Sequence, residues 1–456
     1  MSASYDFISE YSAYVRQVMT HYKAAGIAVA LMEKGQPAKE LFFGYRDVEK
    51  SLPIDRDTIF GLASVSKSFT ALAILQLVRQ GKVDLDAPVS RYIPEFQNLH
   101  RDTVLVRHLM SHAGSFWPVT RKVVQPLAEE MGLWGGEEDL AYSEALSIEA
   151  NRRVCADLDA QTEPLGKPGQ YLSYSNDSFG LLSDIIRTVG GEKTYADYML
   201  RHILRPLGME RSFCDFLRPA RDDNAAILYE ERDGKMLATR DYHDSAFVMN
   251  GGGAMKSTLA DMERYLDLYL SGGAPIIDPS LLQKMLTPYV SYRYDEDYGF
   301  GLSIGQIGGR KVCGHGGSLT GVSSAILFCP EKEFAVIVLC NTTGIPATTL
   351  AKCAMQGMLG LSPLPAAPRF CDAWSLEKAR SVCGEYLSPE GSALTLQMGE
   401  TGLELFSSGK KKEFFYHDEN TLLLRSGMIY SDATFFTDTS GQVFAVRYGG
   451  RMLKKG

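Results

Sequence analysis

The sequence predicts an α+β fold: an antiparallel sheet flanked by helices, with a small all-β barrel behind it. Strand-like apolar runs stand at both ends of the first 361 residues with helical periodicity between them, so one sheet is expected to unite the two ends. A proline-rich stretch, Ser362-Pro363-Leu364-Pro365-Ala366-Ala367-Pro368, then reads as a stiff linker. Beyond it the pattern changes to short alternating strands separated by Gly and Asp/Asn turns, the mark of a small antiparallel barrel or sandwich. The expected division is 1–361, a linker over 362–370, and 371–456.

In chain order, residues 7–24 are helical in period. Residues 26–32 and 41–45 are strands joined by a turn at Glu33-Lys34-Gly35-Gln36-Pro37. That hairpin leads to a helix opening at Ser64, on which Ala71, Ile74, Leu75 and Val78 form one apolar, buried face. Asp84-Leu85-Asp86-Ala87-Pro88 starts another short helix. An apolar helix from Leu105 ends at His112-Ala113-Gly114, where Gly114 suits a left-handed stop. Residues 115–170, with Trp117, Trp134 and Gly135-Gly136, have weak periodicity and are expected to wall a cleft. Helices follow at 181–189, 195–204 and 261–270, then strands at 299–304, 323–328 and 334–339. In the last region strands are expected at 394–398, 403–406, 412–416, 421–425, 434–437 and 443–447.

Hydrophobic residues at 45% and charged residues at 22% are ordinary globular values, and the net charge of −8 argues against a nucleic-acid or anionic-membrane partner. No apolar run approaches the roughly 18–20 residues of a membrane helix. The eight cysteines include no Cys-x-x-Cys pair, and several sit in apolar runs, which reads as buried reduced thiols. Met1 to Phe7 lack the basic start and apolar core of a signal peptide, so a cytoplasmic location is expected.

Chemistry concentrates at three places. Ser64 stands at the N-terminus of a buried helix, where orphan N–H groups and the dipole favour developing negative charge. Lys67 lies one turn on along the same face, and a desolvated lysine can be the base that a serine nucleophile needs. Ser-x-x-Lys recurs at Ser375, Ser407 and Ser408, but only the first opens a buried helix. Tyr174-x-Asn176 is the only Tyr-x-Asn in the chain. A tyrosine beside a cationic lysine has its phenolate favoured and can exchange protons with the nucleophile or leaving group, and Asn176 offers a donor and an acceptor to a substrate amide or ester. In Gly314-His315-Gly316-Gly317-Ser318 the glycines allow close approach to a ligand, and a backbone N–H there, with that of Ser64, would make an oxyanion hole.

The order Ser-x-x-Lys, Tyr-x-Asn, His-x-Gly resembles the serine β-lactamase and penicillin-binding protein superfamily, in its class C-like branch of D-peptidases, D-aminopeptidases and esterases. Leu109-Met110-Ser111-His112-Ala113-Gly114, Pro206-Leu207-Gly208-Met209 and Gly251 to Thr258 with Asp261 are similar to landmarks of that family. The resemblance implies Ser64 as acylated nucleophile, Lys67 as base and Tyr174 as its partner. It implies Asn176, His315, Gly317 and Ser318 as substrate-binding residues, Ser318 giving the second oxyanion N–H. The C-terminal region, with Gly384-Glu385-Tyr386, is similar to a lipocalin-like barrel attached to some members. One departure is that His315-Gly316-Gly317 stands where the better-known β-lactamases carry Lys-Thr-Gly. A titratable imidazole there in place of a fixed charge fits a peptidase, amidase or esterase better than a β-lactamase.

Blander readings compete. Ser64 also suits a helix N-cap, Tyr174 a core tyrosine, Asn176 a turn, and His315 a glycine-flanked turn residue. His112 reads as structural and His243 as loop. No cofactor and no metal is implied, since His108 and His112 share a helix with no Glu between them. The expected activity is a serine hydrolase acting through an acyl-enzyme on small amides or short peptides, D-residues included. A carboxylesterase or weak β-lactamase is the alternative, and a non-catalytic ligand-binding homologue the alternative of another class. The oligomeric state is left open.

Overall fold

The computed structural model describes residues 6–97, 102–119, 140–215, 218–242 and 250–456. Two nine-stranded antiparallel sheets organise them, one on either side of the proline-rich stretch. The first runs in the order Leu52–Pro53, Lys39–Asp47, Gly26–Glu33, Phe334–Cys340, Val322–Cys329, Arg310–Leu319, Ser303–Ile307, Glu296–Tyr298, Val290–Arg293. Ile27 pairs with Cys340, so the two ends of this half do meet in one sheet.

Its central strands are buried because both faces are covered. Ala28, Ala30, Ile337 and Leu339 enter a core shared with the helices Ser66–Arg79, Asn176–Val189 and Leu259–Leu270. Ile27, Val29, Val336 and Val338 face the other way, against Ile8–Tyr22 and Ala347–Met358. Two apolar faces explain why these strands read as unbroken apolar runs.

Several expectations shift. The α-helix opens at Ser66, and Ser64 lies in a 3-10 turn over Ala63–Val65 just before it. Every residue from Ser66 to Leu77 is buried, so this helix is surrounded rather than one-faced. Its hydroxyls blurred the apolar pattern, and they bond inward: Ser68 Oγ lies 2.7 Å from Tyr265 Oη, and Thr70 Oγ1 donates to the Gly251 carbonyl at 2.8 Å.

The Leu105 segment is helical only over Val106–Met110, and its left-handed residue is His112 at φ 57°, not Gly114. Ala113 N–H returns to His108 O and His112 N–H to Leu109 O, the pattern of a Schellman stop. Asp84–Pro88 forms no helix; a 3-10 turn at Val89–Arg91 follows it. Residues 299–302 form a turn, and the strand begins at Ser303. Gly301, at φ 69°, takes that turn against the helix, where a Cβ would stand 2.7 Å from the Lys67 carbonyl. The 195–204 helix breaks into Tyr195–Met199 and a π-helical turn at Leu200–Leu204. Within 115–170, a helix spans Leu140–Asp159. Trp134, Gly135-Gly136 and His243 lie outside the described residues.

The second sheet runs Lys410–Lys411, Gly402–Ser407, Ala393–Gly399, Gly384–Leu387, Arg451–Lys455, Val443–Tyr448, Ile429–Thr437, Thr421–Ser426, Phe414–Tyr416. The strand expected over 412–416 is confined to Phe414–Tyr416, and this piece and the preceding Lys410–Lys411 are the sheet's opposite edges. The curled sheet is joined there by the chain itself, at Lys412 and Glu413, rather than by a paired ladder. Its core gathers Tyr386, Leu394, Leu396, Leu405, Leu422, Leu424, Phe435, Val446 and Leu453. It docks on the first half through Ala445 and Met452, which pack with Trp117 and Leu165. Among the described residues, no helix is long and apolar enough to cross a membrane.

Candidate active site

Ser64, Tyr174, Asn176, His315, Gly317 and Ser318 line one cleft of about 730 Å³ between the two sheets, with Lys67 fully buried beneath it. The chain reaches Ser64 through Ala63, whose φ of 47° is left-handed. A non-glycine residue held there costs roughly 1–3 kcal/mol, so its surroundings must impose it. They do: Ser324 Oγ donates to Leu62 O at 2.7 Å, and Ser66 Oγ donates to Ala63 O at 2.6 Å while accepting from Met255 N–H at 3.0 Å. Gly317 belongs to the same clamp, because a Cβ on it would overlap the Leu62 carbonyl and the Ser324 hydroxyl. Its close approach is therefore to the backbone beneath Ser64.

Lys67 Nζ has three neighbours: Gly252 O at 2.7 Å, Asn176 Oδ1 at 2.8 Å and Ser64 Oγ at 3.1 Å. Burial pushes its pKa well down, and the Arg451 cation pushes the same way against a smaller opposing pull from Glu390. In its neutral form this amine has two N–H groups and one lone pair. Gly252 O and Asn176 Oδ1 can only accept, so they take the two N–H groups. The lone pair is left for the one neighbour with a proton to give, the Ser64 hydroxyl.

Tyr174 is hydrogen-bonded to Ser64, and Lys67 Nζ lies 4.9 Å from its ring centre. Burial raises its pKa, the nearby Tyr292 adds to this, and the Ser64 bond and the Arg451 and Arg293 cations only partly offset it. The expected phenolate is corrected: out of water, Tyr174 is a phenol.

His315 is also reassigned. Its Nδ1 lies 2.6 Å from the Gly316 carbonyl and must donate, which leaves Nε2 to accept from Tyr298 Oη at 2.9 Å. Tyr298 in turn accepts from His112 Nε2 at 3.2 Å, whose Nδ1 accepts Ser175 N–H at 3.1 Å. Every proton in this buried chain is fixed, and both imidazoles are neutral. Burial pushes His315 down to about 3, aided by Lys67, and pushes His112 well down for the same reasons. His315 carries no charge for a substrate; it ties the strand Arg310–Leu319 to the loop before Asn176. His112 and His108 do not share a ligand, since His108 Nδ1 accepts Leu105 N–H at 3.0 Å.

The sequence reading did not pick out Gly252, Tyr298, Gly450 or Arg451 as site residues. Gly252 carried a signal, standing in the Gly251-Gly252-Gly253 run. Tyr298 and Arg451 stand in no motif. Gly450 sits in a hairpin tip that reaches across from the second sheet, where its carbonyl accepts Tyr174 N–H at 2.8 Å.

The Beta-lactamase family profile matches residues 12–352. A D-aminopeptidase of Gluconobacter oxydans (strain 621H) is 27% identical over 340 residues, covering 74% of this chain and 59% of that protein. A D-aminopeptidase of Brucella anthropi is 25% identical over 362 residues, covering 78% and 63%. The chain thus spans about three-fifths of the length of these curated relatives, at 59% and 63%. An octameric penicillin-binding protein homologue from Pyrococcus abyssi superposes over 98% of this chain and 100% of its own, with TM-score 0.69 and 26% identity. With that profile spanning both the Ser64 turn and the His315 strand, the chain belongs to the beta-lactamase family.

Proposed function

We propose that the chain is a serine hydrolase that cleaves amide bonds of small peptides through an acyl-enzyme. The observation that carries this reading is Lys67: a buried amine held by Gly252 O and Asn176 Oδ1, with its Nζ 3.1 Å from the Ser64 hydroxyl. Ser64 Oγ attacks the carbonyl carbon as its proton passes to Lys67 Nζ. The backbone N–H groups of Ser64 and Ser318 hold the oxyanion. As the C–N bond breaks, Tyr174 relays the proton from Lys67 to the departing amine. Water then attacks the Ser64 ester, gives its proton back along the same path, and releases the acid. Asn176 fixes Lys67 through Oδ1 and keeps its Nδ2 for a substrate carbonyl.

A cleft of about 730 Å³ suits a short peptide rather than a protein chain. The names of the two D-aminopeptidase relatives support D-residues at the cleaved bond. All eight cysteines are free and six are buried, which supports a reducing, cytoplasmic setting. The catalytic unit is taken as 1–361, joined by 362–370 to the barrel at 371–456.

Intact mass after incubation with a fluorophosphonate, beside hydrolysis of D- and L-alanine p-nitroanilides, tests the reading. One adduct on the wild type, none on Ser64→Ala, and faster turnover of the D-substrate are expected. An unlabelled wild type, or equal labelling of Ser64→Ala, would sink it.

A further inference from the structure

Lys67 is oriented in part by a backbone carbonyl, and that carbonyl belongs to a loop. Asn250–Gly252 form a 3-10 turn, closed by Ala254 N–H on the Asn250 carbonyl at 3.1 Å. Between Asn250 and Met255 this loop meets the Ser64 turn and the helix after it at four points. Lys67 Nζ donates to Gly252 O at 2.7 Å, and Thr70 Oγ1 to Gly251 O at 2.8 Å. Met255 N–H donates to Ser66 Oγ at 3.0 Å, and Leu62 N–H to Met255 O at 2.9 Å. The loop is seated without slack, since a Cβ on Gly251 would overlap the Phe179 carbonyl.

Its two ends are fixed by different means. After Met255 the chain enters Lys256–Ser257, which pairs with Phe60–Gly61. At the other end the hold is a side chain. Asn250 is buried, and its Nδ2 donates at 3.2 Å to Oε2 of Glu144, 106 residues earlier on the helix Leu140–Asp159. A carboxylate only accepts, so Glu144 also decides which way the Asn250 amide is turned.

Glu144 grips a second support of the same loop. Its carboxylate accepts the N–H of Tyr195, the first residue of the helix Tyr195–Met199. Tyr195 Oη lies 2.8 Å from Thr70 Oγ1. Thr70 gives its one proton to Gly251 O, so Tyr195 donates to Thr70. One carboxylate thus holds Asn250 directly and steadies Gly251 through Tyr195 and Thr70. Burial raises the pKa of Glu144, and the Tyr195 N–H and the Arg187 cation oppose that rise. A carboxylate with only 12% of its side chain exposed is costly to keep unless such donors meet it.

We infer that Glu144 is a positioning residue for the reaction at Ser64: by fixing Asn250 it holds the Gly252 carbonyl that orients the Lys67 amine. Glu144 does not line the cleft, so it acts at one remove, through Asn250, Gly252 and Lys67 in turn. The inference rests on the reading of Ser64 as nucleophile and Lys67 as its base. Without the carboxylate the loop relaxes and Lys67 is aimed less well, while the walls that bind substrate stay in place.

The test compares the wild type with Glu144→Gln, Glu144→Ala and Asn151→Ala. Asn151 stands on the same helix and its Nδ2 donates to Gly180 O at 3.1 Å, so its loss loosens the helix without touching the loop. The rate of fluorophosphonate labelling of Ser64, and kcat and KM on D-alanine p-nitroanilide, are measured well below each Tm. In Glu144→Ala the labelling rate and kcat are expected to fall roughly ten- to a hundredfold while KM holds, the cost of a catalytic group displaced by about 1 Å. Glu144→Gln, which keeps one acceptor oxygen, is expected to fall between that variant and the wild type. Asn151→Ala is expected to lower Tm and to label at the wild-type rate. A wild-type labelling rate in Glu144→Ala overturns the inference and spares the nucleophile. An equal fall in Asn151→Ala also overturns it, because the loss would then come from helix packing alone. Should Glu144→Ala not fold, a wild-type rate in Glu144→Gln overturns the inference and a slowed one supports it. A wild type that takes no label overturns both readings.

Discussion

Two pieces of chain converge on Tyr174, and each is rigid for a different reason. The helix Ser66–Arg79 is held by side chains, being buried on every side with its hydroxyls spent on neighbours. The hairpin tip at Gly449-Gly450 is held by backbone, through the Gly450 carbonyl and a contact that leaves no room for a Cβ. Packing of the first kind removes water and lowers the pKa of Lys67, which suits it to the proposed role of base. Anchoring of the second kind leaves the Arg451 side chain partly exposed but fixed in place by Glu390. The proposed chemistry sits on the enclosed element, and the anchored one borders it.

The comparison breaks most sharply at Lys67. Lys67→Ala is expected to lower kcat/KM by roughly 10²- to 10⁴-fold, the usual worth of a positioned acid–base group. Fluorophosphonate labelling of Ser64 is expected to slow in step. A variant within a few-fold of the wild type by stopped assay and mass spectrometry would mean that another group takes the Ser64 proton.

A second test couples the two pieces. In the proposed reaction Lys67 acts in its neutral form, so the acid limb of the kcat/KM profile is expected to follow its depressed pKa. The Arg451 cation helps to hold that pKa down, and Glu390 opposes it. Arg451→Gln removes the cation and leaves Glu390 uncompensated, so Lys67 holds its proton to higher pH. The acid limb is expected to move to higher pH in profiles measured with an uncharged amide substrate. No movement, or movement to lower pH, would show that the hairpin does not act on the base.

What was legible in the sequence follows the same divide. Ser64 and Lys67 were legible because a three-residue spacing across a helical turn is itself geometry, even though Ser64 stands in the 3-10 turn just before the α-helix. Tyr174 and Asn176 showed as a rare pairing of residue types. The first sheet showed through its apolar runs, since both of its faces are covered. The left-handed turn at His112 was misplaced to Gly114 because residue type favours glycine there, whereas Tyr298 and Ser175 hold the His112 ring from distant parts of the chain. Arg451 was illegible for the same reason: its importance comes from a docking contact more than 270 residues from Tyr174, |i−j| being 279 for the neighbouring Met452–Ser173 bond. Side-chain spacing along a helix is local, and anchoring between sheets is not.

Gly450→Ala sharpens the anchored side of the comparison. The new Cβ meets Tyr292, itself buried, and the residue must hold φ 81°. The combined strain is expected to cost about 1–3 kcal/mol, seen as a lower Tm. Because the tip shifts while the helix Ser66–Arg79 does not, KM is expected to rise by more than kcat falls. A fall confined to kcat would argue that the tip orders the catalytic groups themselves.

The smallest effect is expected at Tyr298, which tests whether enclosure alone makes a residue chemical. Tyr298 is as buried as Lys67, yet its hydroxyl only passes hydrogen bonds between two neutral imidazoles. Tyr298→Phe keeps the ring against His112, Tyr292 and His315 and removes that hydroxyl. It leaves one buried N–H and one buried lone pair without partners, at a cost of about 1–3 kcal/mol in stability. The pKa values of both histidines already lie below their ordinary value, down to about 3 for His315, so neither gains a proton near neutral pH and the acid limb stays where Lys67 sets it. A lower Tm with kcat/KM within about tenfold, or 1.4 kcal/mol, of the wild type is the expected pair of results. A displaced acid limb would instead make the His112–Tyr298–His315 chain part of the proton path, and burial would then track chemistry more closely than the Lys67 site requires.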